Sequence, residues 1–199
     1  MQLLISDKPG AEELKCFIAL AATGASFSVG ASDPKYASCG PQLVVEADNV
    51  IFSANAVCRY IAAAADNALQ LDDLAVDEWV EWESHVLAPW VNKAKKAADK
   101  AALSAELSAL LEAKEEARAK TDALQFLFGQ ELSLADVVAA VTLRSAVELV
   151  AAENDTPILK KVPGLRDADL CAWQLCQGRR AARVGRQACV QARCRCAHW

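Results

Sequence analysis

Ser133 and Asp136 stand three residues apart at the head of the apolar run "LADVVAAVTL". A hydroxyl at a helix N-cap and a carboxylate at N3 can each satisfy the other's backbone amide, and the carboxylate also meets the positive end of the helix dipole. The pair is read as a structural helix cap, not as catalytic machinery. His85 is the only histidine before residue 198, with no Cys-x-x-Cys beside it. Neither a metal centre nor a Ser-His-Asp arrangement is therefore expected. Walker and Gly-x-Gly-x-x-Gly loops are absent from the chain.

Cys189, Cys194, Cys196 and His198 offer metal-ligating side chains, but Cys-x-Cys-x-His is too cramped for an ordinary finger, so no metal is assigned. They lie in a segment, 170–199, that breaks with the rest of the chain. From Cys171 onward there are six arginines, five of the eight cysteines and no acid. Three readings compete: a metal site, a basic RNA-binding extension, and an accidental reading frame at the gene's end. The last is preferred, with poor order expected. Removing the six arginines from a net charge of −5 leaves residues 1–170 at about −11. Such a body repels phosphate, so tRNA is expected to be met only indirectly.

The 199 residues are 54% hydrophobic, enough to bury a core in one compact unit or two small domains. No apolar run reaches the roughly 18 residues that span a bilayer. The opening "MQLLISDKPG" lacks a basic n-region and a long h-region, so a cytoplasmic location is the default. Cys16, Cys39 and Cys58 are scattered as small hydrophobes usually are, and no structural disulfide is expected.

Local patterns supply the frame that must position these residues. "QLLISD" has strand bias. "PGAEELKCFIALAATG" places Leu14, Phe17, Ile18 and Ala21 on one helical stripe, closed by Gly24. "SFSVGAS" alternates as a strand. "QLVVEA" and "NVIFSA" flank a turn at Asp48-Asn49, which predicts a β-hairpin. Ser53 is the expected N-cap of the helix "ANAVCRYIAAAA", and Pro41 sits where a cis peptide bond is expected. The β-α-β-loop-β-β-α order is the thioredoxin-like plan. Residues 1–65 form this lobe, 66–74 a linker, 75–169 an all-helical lobe and 170–199 the atypical tail. In the helical lobe Trp79, Trp82, Val86 and Trp90 share a stripe, and Pro89 is expected to bend or divide their helix.

Three segments within about residues 1–165 carry a family resemblance: the Pro41 hairpin leading to "FSANAVCRYIA", "VDEWVEWESHVLAPW", and "FLFGQELSLADVVAAVTL". Together they resemble the glutathione-transferase-like superfamily. "NVIFSANAVCRYI" followed by "EWVEWES" looks most like the appended N-terminal domain of cytosolic methionyl-tRNA synthetases and related modules of elongation factor one gamma and multi-synthetase complexes.

Transferases of this fold usually carry Glu/Gln-Ser/Asp at the turn into the hairpin's helix, to hold the γ-glutamyl end of glutathione. The corresponding pair is read here as Phe52-Ser53, and Phe52 offers no polar atom, so Pro41, Phe52 and Ser53 are assigned to a relic pocket. The family also needs a Tyr, Ser or Cys after the first strand to lower the thiol's pKa. Ser6 is a weak candidate, more naturally a turn residue, and Cys16 reads as core.

The resemblance implies a non-catalytic interaction module that docks an aminoacyl-tRNA synthetase or elongation-factor subunit of the same fold through its helical lobe. It implies no cofactor, and it also admits a homodimer. Arg144 is the preferred ion-pairing anchor, with Arg59, Trp79 and Trp82 as further candidates, although the tryptophans read more naturally as interlobe core. Neither catalytic motif of a methionyl-tRNA synthetase is present, so aminoacylation is not expected. The alternatives are a glutathione-dependent transferase, with glutathione as its cofactor, and a tRNA-binding cofactor acting through the arginine tail.

Overall fold

In the computed structural model the described residues are 1–46, 49–65, 69, 74–97, 99–117, 126–128 and 131–151. The tail from 170 onward, most of the 66–74 linker and the first hairpin-turn residues lie outside them.

Strand β1 (Gln2–Ile5) crosses through helix α1 (Ala11–Thr23) to the parallel strand β2 (Ser28–Ala31). A 3-10 turn (Pro34–Cys39) leads to strands β3 (Gln42–Glu46) and β4 (Asn49–Phe52), which pair antiparallel and lead into helix α2 (Ala54–Ala63). The sheet order is β2-β1-β3-β4. This register stacks Leu3 on Leu43 and Leu43 on Ile51 along one face. Gly24 ends α1 because its φ of 68° is open to glycine without steric cost, and its N–H reaches the Leu20 carbonyl at 3.0 Å.

Helix α1 buries more than the predicted stripe. Cys16, Ile18, Ala19 and Leu20 are buried, whereas Leu14 and Phe17 are only partly so. The difference arises because α1 is covered on several sides, packing on α2 and on a helix of the second lobe. Pro41 is buried, but no cis peptide bond occurs among the described residues, so the bond before it is trans, contrary to expectation.

The second lobe comprises α3 (Leu74–Trp82), a π-helical turn (Glu83–Leu87), α4 (Ala88–Ala94), α5 (Lys100–Ala117) and α6 (Leu134–Ala151). Pro89 acts one turn earlier than a simple break would. It cannot donate to the His85 carbonyl, and the preceding turn widens until the Ala88 N–H bonds the Glu83 carbonyl. Helix α6 runs through the lobe's centre with Val137, Val138, Val141 and Leu143 buried, packing on α1, α3, α4 and α5. A thioredoxin-like lobe followed by a helical lobe is the observed architecture. Among the described residues no helix is long and apolar enough to cross a membrane.

Candidate functional site

The two lobes enclose a cleft of about 470 Å³, lined from one side by the starts of α1 and α2 and from the other by the π-helical turn, α4 and α6. Its floor is a buried polar junction. Lys15 Nζ lies 2.8 Å from Glu83 Oε1, and both side chains are 1% exposed. The same ammonium bonds Glu12 at 2.8 Å. Thr142 on α6 donates to Glu83, and Asn55 Nδ2 on α2 donates to the other Glu83 oxygen at 3.2 Å and to Ser84 Oγ at 2.8 Å. Ser84 Oγ already donates to the Val80 carbonyl, so it must accept from Asn55, which fixes the amide's orientation. Asn55 Oδ1 is left buried with no donor among the described residues.

Two effects oppose each other at Lys15. Burial alone would pull its pKa down, but the Glu83 and Glu12 carboxylates outweigh that and hold it above its ordinary 10.5. The ammonium is the stable form. Sequence reasoning missed this junction, quoting Glu83 only within the "EWVEWES" stretch that carries the family resemblance. The available signal was spacing: Glu83 falls four residues after Trp79 and three after Val80, both buried.

Of the predicted relic pocket, only Ser53 lines the cleft. Phe52 is 40% exposed and packs on Tyr36, ring centroids 5.7 Å apart. Ser53 stands at the N-cap position, yet its side chain caps nothing. Its φ of 74° and ψ of 136° turn the chain sharply out of β4 and carry the hydroxyl away from the helix amides. A non-glycine residue held there costs on the order of 1–3 kcal/mol. The hydroxyl of Ser6 is 2.9 Å from the Lys8 carbonyl and 3.0 Å from Glu13 Oε1, and Ser6 does not line the cleft. Cys16 is fully buried, and its thiol is pushed up by a hydrogen bond with Cys58 and by burial.

The cap pair has the reciprocal geometry. The Ser133 N–H donates to Asp136 Oδ2 at 2.8 Å, and the Asp136 N–H donates to Ser133 Oγ at 3.2 Å. Asp136 also accepts from the Leu127 N–H at 2.8 Å, tying the preceding segment to α6.

The partner-binding candidates scatter. Trp79 is 3% exposed, packed edge-on against Trp82 and Phe128 with Lys114 Nζ 5.0 Å above its ring, so it is core rather than an open anchor. Trp82 is half-buried beside it. Arg59 pairs with Asp77 at 2.5 Å, joining α2 to α3. Arg144 is exposed on α6 and bonds Glu148 one turn on at 2.8 Å. His85 pairs with Glu81 on the surface, and no cluster of metal-ligating side chains occurs among the described residues.

Compared with solved structures, the chain has the glutathione-transferase fold. A glutathione S-transferase III in apo form is 20% identical with a TM-score of 0.67, the match covering 91% of this chain and 95% of that one. A bacterial maleyl pyruvate isomerase, described as a zeta-class glutathione S-transferase, is 18% identical with a TM-score of 0.66, covering 90% and 96%. Glutathione transferase F7 from Populus trichocarpa is 17% identical with a TM-score of 0.66, covering 89% and 98%. No protein-family model and no curated protein matches the chain.

Proposed function

We propose that this chain is a non-catalytic module on a glutathione-transferase fold, docking a synthetase or elongation-factor subunit of the translation machinery through its helical lobe. The observation that carries this reading is the placement of Ser6. A thiol activator must aim its hydroxyl at the sulfur's position, whereas this hydroxyl is engaged by Glu13 and the Lys8 carbonyl, and Ser6 itself does not line the cleft. The buried thiol of Cys16, with its raised pKa, is no substitute. Partner choice rests on the "CRY" and "WVEWE" resemblance, and Arg144 is the accessible cation on the lobe's central helix. Affinity capture from a lysate with mass spectrometry tests the proposal. Synthetases or elongation-factor subunits are expected, their recovery falling with Arg144→Ala, and a capture devoid of both overturns it.

The glutathione-dependent reading has its own support, and the comparisons favour it. The structures of like fold named above are transferases, and the interlobe cleft is open, with Ser53 at its edge. Retention on immobilised glutathione together with turnover of a chlorinated aromatic acceptor would establish it. Because the Ser6 hydroxyl is already engaged by Glu13 and the Lys8 carbonyl, that turnover is expected to survive Ser6→Ala.

A further inference from the structure

The first lobe buries two thiols against each other. Cys16 on α1 and Cys58 on α2 are both fully buried, both are free, and their helices pack side by side. The Cys16 thiol lies 4.0 Å from the Ala54 carbonyl. In an α-helical ladder that carbonyl accepts the N–H four residues on, which belongs to Cys58. Cys16 is therefore set against the turn of α2 that carries Cys58, and a thiol–thiol hydrogen bond joins the two side chains. Helix α6 packs on both α1 and α2, so the pair sits within the layer on which the second lobe is seated. Cys39, the other free cysteine among the described residues, is exposed and belongs to neither helix.

From this we infer that Cys16 and Cys58 are a redox pair, forming a reversible disulfide that staples α1 to α2. The oxidant is a low-molecular-weight disulfide. One protein thiol gives up its proton, and its sulfur attacks that disulfide, forming a mixed disulfide and releasing one small thiol. The second protein thiolate attacks the protein-side sulfur and expels the other small thiol. Two protein thiols thus become one S–S bond, while the small disulfide is reduced to two thiols. Burial and the mutual hydrogen bond suppress the Cys16 thiolate in the closed fold, so exchange runs through transient opening of the α1–α2 contact. Reclosure returns the two sulfurs to each other and favours the second step. The finished bond closes the chain from residue 16 to residue 58, around β2, β3 and β4, and removes freedom from the unfolded state. Because α1 and α2 together seat α6, oxidation fixes the spacing of that seat. The inference goes beyond the docking proposal and does not depend on it.

Hydroxyethyl disulfide is the probe, applied to the full chain in native buffer and in sub-denaturing urea. Remaining thiols are alkylated, and unreduced tryptic peptides are mapped by mass spectrometry. One tryptic peptide, 36–59, carries both Cys39 and Cys58, so the Cys39→Ser variant is run beside the parent. Cys39 is exposed, and this variant is expected to keep the fold. Peptide 16–35 is expected to be found linked to 36–59 in that variant, faster in urea than without it. The oxidised variant should melt about 5 °C or more above its reduced form, and dithiothreitol should return it. Cys58→Ser, treated alike, should show no such rise. Recovery of Cys16 and Cys58 as alkylated thiols in both arms overturns the inference. So does Cys16 linked only to another cysteine or held as the mixed disulfide. A linked protein that melts no higher than the reduced one also overturns it, because the fold would then resist the bond.

Discussion

Lys15 of the thioredoxin-like lobe and Glu83 of the helical lobe meet at 2.8 Å with both side chains 1% exposed. This ion pair lies between elements 68 residues apart in the chain, in a place where each charge alone would be untenable. Thr142 and Asn55 take up further lone pairs of the same carboxylate, so the pair belongs to a network joining α1, α2, the π-helical turn and α6. Its net worth against an apolar replacement is a separate matter from the damage done by removing one member.

That distinction sets the first prediction. Lys15→Met alone leaves the buried Glu83 carboxylate without a counter-charge and is expected to cost about 3–5 kcal/mol in urea denaturation, whereas Glu83→Gln should cost less because Lys15 keeps Glu12. Lys15→Met combined with Glu83→Leu is expected to recover most of the loss, because the apolar pair needs no desolvated partner. A double variant as unstable as the sum of the singles would contradict this.

The pH dependence of the same pair has a definite sign. With the folded pKa of Lys15 above 10.5, the native state holds its proton where the unfolded chain releases it. The contribution is complete below 10.5 and is lost as pH rises through the folded value. Alkaline melts are expected to show a fall above 10.5 that is missing in the Lys15→Met, Glu83→Leu double variant.

Much of this architecture was legible in the sequence because alternation, helical period and punctuation act locally. Gly24 closes α1, the two apolar runs after Pro41 pair as strands, and Ser133 with Asp136 opens α6. The floor of the cleft was not legible. Lys15 and Glu83 look like solvated charges until two helices from different lobes are packed together, and no local rule brings them into contact. Ser53 failed as a predicted cap for a related reason. The tertiary turn out of β4 fixes its φ at 74° and overrides the residue's capping preference. The trans bond before Pro41 has no counterpart in any local pattern either.

Asp136 gives a pH effect in the opposite direction. Burial raises its pKa above 3.8, against the lowering effect of hydrogen bonds from Ser133 and from the Leu127 amide. The native state therefore binds more protons than the unfolded chain between 3.8 and the raised value, and stability falls as pH climbs through that window. Asp136→Asn should flatten this slope while costing about 1–3 kcal/mol, since an amide nitrogen would face the Ser133 donor. Ser133→Ala should cost about 1 kcal/mol, an ordinary cap loss.

Thiol labelling separates the described cysteines. Cys39 is exposed, whereas Cys16 and Cys58 are buried against each other between α1 and α2. Iodoacetamide at neutral pH followed by peptide mapping is expected to label Cys39 in the native protein and to reach Cys16 and Cys58 only after unfolding. Rapid labelling of Cys16 would show that its thiolate is accessible and would reopen the case for thiol chemistry in this fold.

Trp79 and Arg144 make the last contrast, between a residue buried in the lobe and one exposed on its surface. Trp79 is 3% exposed, contacts Trp82 and Phe128 edge-on and carries Lys114 above its ring, and Lys114 is itself paired with Glu78. Trp79→Ala should therefore cost about 3–5 kcal/mol through the cavity and the lost packing. Arg144 is exposed, and its bond to Glu148 is a surface pair one helical turn apart, so Arg144→Ala should shift stability by no more than about 0.5 kcal/mol. Urea curves for the two variants, set beside affinity capture, read the two roles separately. If Arg144→Ala unfolds the protein, or if Trp79→Ala leaves its stability intact, the assignment of Trp79 to the core and Arg144 to the surface is reversed.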